Sequence, residues 1–151
     1  MVTTLHGGAR VRAPWHFWLV AVIAILWNGF GAYDYVMSHS QGDAYYASMG
    51  MTPAQIAYAH AMPAWVVAAW AFGVWGAVAG SVLLLLRSRW ALHAFVVSLL
   101  GLLASLVYSQ ILTSARDIMG TTAMIMNVVV LAGCLFFVWY ARMMAARGTL
   151  R

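Results

Sequence analysis

The chain has 151 residues, of which 65% are hydrophobic and only 7% charged, whereas soluble domains carry charge on about a quarter of their residues. That balance excludes an ordinary soluble enzyme and places the chain in a bilayer. Lys and Glu are absent, so the net charge of +5 comes from arginines set against Asp34, Asp43 and Asp117. These arginines stand at the ends of apolar runs, which is a topology signal and not a nucleic-acid surface.

Residues 1 to 13 are polar, contain Arg10 and Arg12, and read as a frayed or interfacial tail. Pro14 then opens an apolar run that reaches Tyr35, long enough at ~1.5 Å per residue to cross a hydrocarbon layer of about 30 Å. The run is too long for a signal-peptide core and no small-residue cleavage site follows, so it is expected to stay as a helix. Its last part, Trp27-Asn28-Gly29-Phe30-Gly31-Ala32-Tyr33-Asp34-Tyr35, holds an amide, a carboxylate and four aromatics. At ~100° per residue Trp27, Asn28, Gly31, Asp34 and Tyr35 share one helical face, which should look into a bundle.

Residues 38–61 form the one sizeable loop, and two helix starts divide it. Asp43 is placed to cap a short helix ending near Gly50, and Thr52-Pro53-Ala54-Gln55 has the spacing of a capping box with Pro at the first helical position. Tyr45, Tyr46 and Tyr58 suit a headgroup layer, where ring and hydroxyl want different solvents. Further spans are expected over about 63–86, 90–112 and 119–141, with the first over about 14–36. The fold expected is therefore all-α, a single membrane four-helix bundle over 1–151 with short interfacial helices in its first external loop. Arg10, Arg12, Arg87, Arg89, Arg142, Arg147 and Arg151 fall on one side and Arg116 alone on the other. The positive-inside rule then puts both termini in the cytoplasm of a bacterial inner-membrane protein.

Lipid removes the hydrophobic drive between helices, so small residues must let backbones approach. Gly31, Gly73, Gly76, Gly80 and Gly101 are the candidate packing glycines, alongside the small stripe of Ala94, Ser98 and Ser105. Two readings stay open for Gly76-x-x-x-Gly80: contact inside one bundle, or a homo-oligomer. The lipid bilayer is the expected partner, with a second copy or a larger membrane complex as further ones, and no nucleic acid.

A candidate polar layer comprises Asn28, Asp34, Tyr35, Trp65, Tyr108, Gln110 and Asn127 in the external half. Buried polar groups in a membrane must be hydrogen-bonded, so such a layer is either an interhelical clasp or a binding cavity. For Asn28 and Asn127 the expectation is the clasp, and for Asp34 an ion pair with Arg116. His16, His39, His60 and His93 stand at helix or loop edges and read as interfacial anchors, since haem or a metal would need facing ligands. The scattered methionines and the lone Cys134 read as packing residues. No catalytic residue, metal or cofactor is expected, because no nucleophile stands beside a base.

The segments Trp27-Asn28-x2-Gly31-x2-Asp34-Tyr35, Pro63-x-Trp65, Trp70-Ala71-x-Gly73-Val74-Trp75-Gly76 and Gly80-Ser81-x-Leu83-Leu84-Leu85-Leu86-Arg87-Ser88-Arg89-Trp90-Ala91 carry a resemblance. Over roughly Pro14 to Tyr108 the chain resembles a group of small four-span proteobacterial inner-membrane proteins, some of which carry an automatic sugar-transporter label. The resemblance implies the four-span architecture and no established activity. Two functions follow as expectations: a non-enzymatic accessory or lipid-binding protein, or an oligomeric transporter of a sugar-like or drug-like molecule.

Overall fold

The computed structural model describes residues 11–151, so Arg10 and most of the expected interfacial tail lie outside the described residues. The described residues form six α-helices: α1 (Trp15–Ser40), α2 (Asp43–Ser48), α3 (Pro53–His60), α4 (Ala64–Leu85), α5 (Trp90–Val107) and α6 (Ala115–Ala146). The helices α1, α4, α5 with the turn that extends it, and α6 are long and apolar enough to cross a membrane. Large apolar side chains such as Leu26, Phe72 and Val128 are more than 60% exposed on their outer faces. Only a hydrocarbon solvent makes such a surface stable. The protein is an all-α membrane four-helix bundle.

Pro14 and Pro63 stand immediately before α1 and α4, where extended backbone and a missing N–H cost nothing. The capping box at α3 forms as its spacing demands: the Gln55 N–H donates to Thr52 Oγ1 at 3.3 Å and the Thr52 N–H to Gln55 Oε1 at 3.0 Å. At α2 the expectation is corrected. Gly42 is the N-cap and Asp43 the first helical residue, its carboxylate turned to His60 Nε2 at 2.6 Å instead.

Packing runs α1 on α4, α4 on α5 and α5 on α6; the pair α1 and α6 is not closely packed. The α4–α5 contact is the tightest because backbone meets backbone. A Cβ on Gly101 would stand 2.5 Å from the Ala69 carbonyl oxygen, and one on Gly76 would stand 3.0 Å from the Ser98 nitrogen. Gly80 accommodates the Phe95 ring. The face of Gly76 and Gly80 is therefore occupied by α5 of the same chain, the first of the two readings of that motif. The expectation for Gly31 is corrected, since a Cβ there would meet nothing within 4 Å.

The largest buried cluster sits at one end. Phe17, Ala21, Ala24, Leu84, Ala91, Phe95, Phe137, Tyr140, Ala141, Met144 and Leu150 form one cluster in the half that carries Val11 and Arg151, the lower half. His16, expected as a surface anchor, shares a 2.8 Å hydrogen bond with Tyr140 and so ties α1 to α6 there. Below the cluster, residues 147–151 fold back on the α4–α5 turn. The Arg89 N–H donates to the Arg151 oxygen and the Arg151 N–H to the Arg87 oxygen, both at 2.7 Å.

Two irregularities shape the upper half. A π-helical turn, Tyr108–Leu112, ends α5, and Thr113 Oγ1 donates back to the Tyr108 carbonyl at 3.1 Å. In α6, Gly120 has φ 77° and ψ −179°, a break that frees carbonyls on its N-terminal side. Gln55 Nε2 donates to two of these, Ile118 O at 3.2 Å and Met119 O at 3.4 Å.

Candidate functional site

Above the largest buried cluster, the upper half forms a partly open cavity of about 480 Å³. Its walls come from α1 (Trp27, Asn28, Phe30, Gly31, Asp34), α4 (Trp70, Gly73, Ala77), α5 and its π turn, and α6 down to Cys134. A volume in this range is that of pockets holding small organic ligands, and the mainly apolar wall with a few polar groups is their usual make-up.

Of the candidate layer, Asn28, Asp34, Tyr108, Gln110 and Asn127 line this cavity, and Tyr35 and Trp65 do not. Tyr35 packs outside it, stacked on His39 at 4.2 Å and edge-on to Trp70 at 4.9 Å. Trp65 meets the Tyr108 ring edge-on at 5.6 Å and thereby props a wall residue from behind. Trp65 enters the layer by its height, which does not fix the side on which a ring falls, and Tyr35 shares the face of Asn28 by periodicity, yet its ring turns to His39 and Trp70.

Asn28 is an interhelical clasp, as expected, and its partner lies on α4. Its Nδ2 donates to Ser81 Oγ at 2.9 Å, and Ser81 in turn donates to the Ala77 carbonyl at 2.8 Å. Ser81 is fully buried between α1 and α4, so the amide answers a hydroxyl that has no water. Asn127 makes no side-chain hydrogen bond among the described residues and is left to the cavity wall.

The ion pair of Asp34 with Arg116 does not form. Among the described residues the one ion pair within 4 Å is that of Asp43 with His60, on the surface. Asp34 Oδ1 instead accepts from the Tyr45 hydroxyl at 2.8 Å. Tyr45, expected in the headgroup layer, is only 7% exposed, because the turn at Gly42 folds α2 back over α1. Its phenol is pushed up to about 12, first by this hydrogen bond, then by loss of solvent and by the Asp34 charge. Arg116 lines the cavity at its upper rim without a carboxylate partner.

Three further parts of the site had no clear signal in the sequence. Tyr58 bridges to Thr113 Oγ1 at 2.9 Å and closes α3 over the π turn. The methionines Met62, Met119, Met124 and Met126 line the cavity together, giving it an adaptable wall. Cys134, expected as a packed core residue, is half-buried and forms part of the cavity floor. No group of three His, Cys, Asp or Glu that could hold a metal occurs among the described residues.

This arrangement defines a class: a membrane four-helix bundle packed at one end and hollow at the other, with two short helices across the hollow end. The chain matches no family model, no curated protein and no solved structure.

Proposed function

We propose that this protein is a non-enzymatic inner-membrane protein that holds a lipid-like or small hydrophobic molecule in its upper cavity. The observation that carries the reading is the division of the bundle. The largest buried cluster lies wholly below Trp27 and Cys134, while the buried apolar residues Tyr45, Val66, Ala77 and Ala115 lie apart from it, and the space above the cluster is a cavity of about 480 Å³ walled by aromatic, methionine and aliphatic side chains. A bundle serving only to hold a shape would gain by filling that space, since each missing contact costs packing energy. The reading as non-enzymatic rests on the cavity's chemistry: its carboxylate is engaged by Tyr45, and its serines have no adjacent histidine. Arg12, Arg87, Arg89, Arg142, Arg147 and Arg151 at the lower end support a cytoplasmic placement of that end, with α2 and α3 external.

The test is native mass spectrometry of protein purified gently from its own membrane. A retained molecule of a few hundred daltons, lost when Ala123→Trp fills the cavity, is the expected result. A homogeneous chain with nothing bound, in both wild type and variant, would overturn it.

A second reading, transport by an oligomer, draws on Asp34, a carboxylate lining the cavity near its external end. Uptake into proteoliposomes that stops on Asp34→Asn would favour it over static binding.

A further inference from the structure

We propose that the gap between α1 and α6 is the doorway through which the cavity takes a single-chain anionic amphiphile from the bilayer, its acidic head resting at Arg116 and its chain running down towards Cys134. This inference rests on the binding reading above and names the ligand's class and its route.

The route follows from how the ring of four helices closes. Three seams bring helix backbones together, the α5–α6 seam with a lipid-facing groove that shares Leu106, Gln110, Met124 and Asn127 with the cavity, and the fourth, α1 against α6, is not closely packed. It is held low down, by the hydrogen bond between His16 and Tyr140 and by Trp27, whose Nε1 lies 3.6 Å from where a Cβ on Gly133 would stand. Above Trp27 the cavity-lining Phe30 and Met126 are 64% and 48% exposed, so the same side chains border the cavity and the outer surface. At the top the seam is strapped across. Tyr45 ties α2 to Asp34 of α1, Gln55 ties α3 to the freed carbonyls of α6, and Asp43 with His60 ties α2 to α3. The approach from water is thus crossed by three bonds, whereas the approach from lipid meets two flexible apolar side chains.

The ligand's chemistry follows from the walls. On α6 below the break the cavity runs from Gly120 to Cys134, about 21 Å of helix at ~1.5 Å per residue, with Arg116 beyond the break, which suits a chain better than a compact solute. Its lower walls include Ala77, Leu102 and Val130 and suit hydrocarbon. At the rim the two charged groups differ: Asp34 already accepts a hydrogen bond, while Arg116 has no acid within 4 Å among the described residues. A guanidinium at the edge of a low-dielectric space is stabilised by an anion, and its fork matches a carboxylate or a phosphate.

Cys134 on the cavity floor reports occupancy. Its alkylation by N-ethylmaleimide is followed for the full chain in phosphatidylcholine nanodiscs, with palmitate, lysophosphatidic acid or hexadecanol added. Palmitate or lysophosphatidic acid should slow alkylation at least tenfold, the stronger of the two identifying the head as carboxylate or phosphate, and neutral hexadecanol should slow it less than twofold. Arg116→Gln should abolish the protection and Arg116→Lys restore most of it. Met126→Trp, in the doorway, should slow the onset of protection about tenfold, while Val107→Trp, on the lipid-facing groove between α5 and α6, should not. Equal protection by hexadecanol that ignores Arg116→Gln would overturn the anionic assignment and leave the binding reading standing. Onset slowed by Val107→Trp and not by Met126→Trp would overturn the doorway. Failure of all three amphiphiles to protect, with nothing retained in native mass spectrometry, would remove both the inference and the reading beneath it.

Discussion

The Tyr45 hydroxyl donates to Asp34 at 2.8 Å, and this single bond joins the short helix α2 to the one carboxylate that faces the cavity among the described residues. Hydrogen bonds to a charged group contribute about 1.5–3 kcal/mol, and removing one partner leaves the other desolvated. Tyr45→Phe should therefore lower unfolding stability in detergent by about 2 kcal/mol. Asp34→Asn should cost less, because an amide oxygen can still accept. A double-mutant cycle with additive effects would show that the two side chains do not act as a pair.

The same bond sets a pH dependence. An ordinary tyrosine ionises near pH 10, and Tyr45 in the fold does so near 12, so the folded state holds its proton where the unfolded chain has lost it. The stability contributed is fully present below pH 10 and is lost as pH rises from 10 through 12. Tyrosinate absorbance near 295 nm should show one late-titrating phenol that disappears in Tyr45→Phe. A Tyr45→Phe difference spectrum centred at pH 10 would contradict the prediction.

Much of the fold was legible because membrane helices obey a length rule and caps obey spacing rules: Pro63 before α4 and Thr52 to Gln55 at α3 each announce a helix start. The site was less legible, for a geometric reason. Periodicity says that Asn28 and Asp34 share a face, but not which neighbour that face meets, so Asn28 finds Ser81 and Asp34 finds Tyr45. Charge complementarity pointed Asp34 at Arg116, yet the decisive fact is the turn at Gly42, which brings a phenol closer. Gly31 and Gly101 are alike in sequence context, small residues on an inward face. One borders open space and the other touches a backbone.

That contrast is measurable. Gly101→Ala would place a methyl 2.5 Å from the Ala69 carbonyl oxygen and 2.6 Å from the Gly73 nitrogen, with no flexible side chain to yield. Backbone must shift, at about 1–3 kcal/mol or more. Gly31→Ala meets nothing and should be neutral or stabilising by up to about 1 kcal/mol through helix propensity. Thermal unfolding of the two variants in the same detergent should move in opposite directions or at least differ by that margin.

Gln55 does two jobs with one amide: Oε1 caps α3 and Nε2 holds the carbonyls freed at Gly120. Gln55→Glu keeps the acceptor but turns a carboxylate oxygen toward two carbonyls. Hydrogen exchange should rise in residues 53–60 and 118–122 for Gln55→Ala. For Gln55→Glu it should rise mainly in 118–122. Equal protection of 118–122 in wild type and both variants would mean that α3 does not brace the kink.

At the lower end Arg87 has φ 59°, a left-handed conformation that costs a non-glycine residue about 1–2 kcal/mol. Its side chain recovers this by joining three segments. Nε donates to the Thr149 carbonyl at 3.0 Å and a terminal nitrogen to the Val11 carbonyl at 2.8 Å, both from the α4–α5 turn. Thr149 and Leu150 are buried beneath this clamp, so releasing it exposes Leu150 and the edge of the core. Two variants separate the backbone from the side chain. Arg87→Ala keeps the strain and loses both bonds, so it should destabilise the protein by about 2–3 kcal/mol. Arg87→Gly loses the same bonds but relieves the strain, and should be about 1 kcal/mol more stable than Arg87→Ala. Carboxypeptidase should trim residues 147–151 faster in both variants than in wild type, because only there does the Arg87 side chain add to the two backbone bonds that hold the tail on the turn. Equal stability of the Ala and Gly variants would show that the left-handed turn is not strained. Equal trimming of all three proteins would show that Arg87 does not hold the tail.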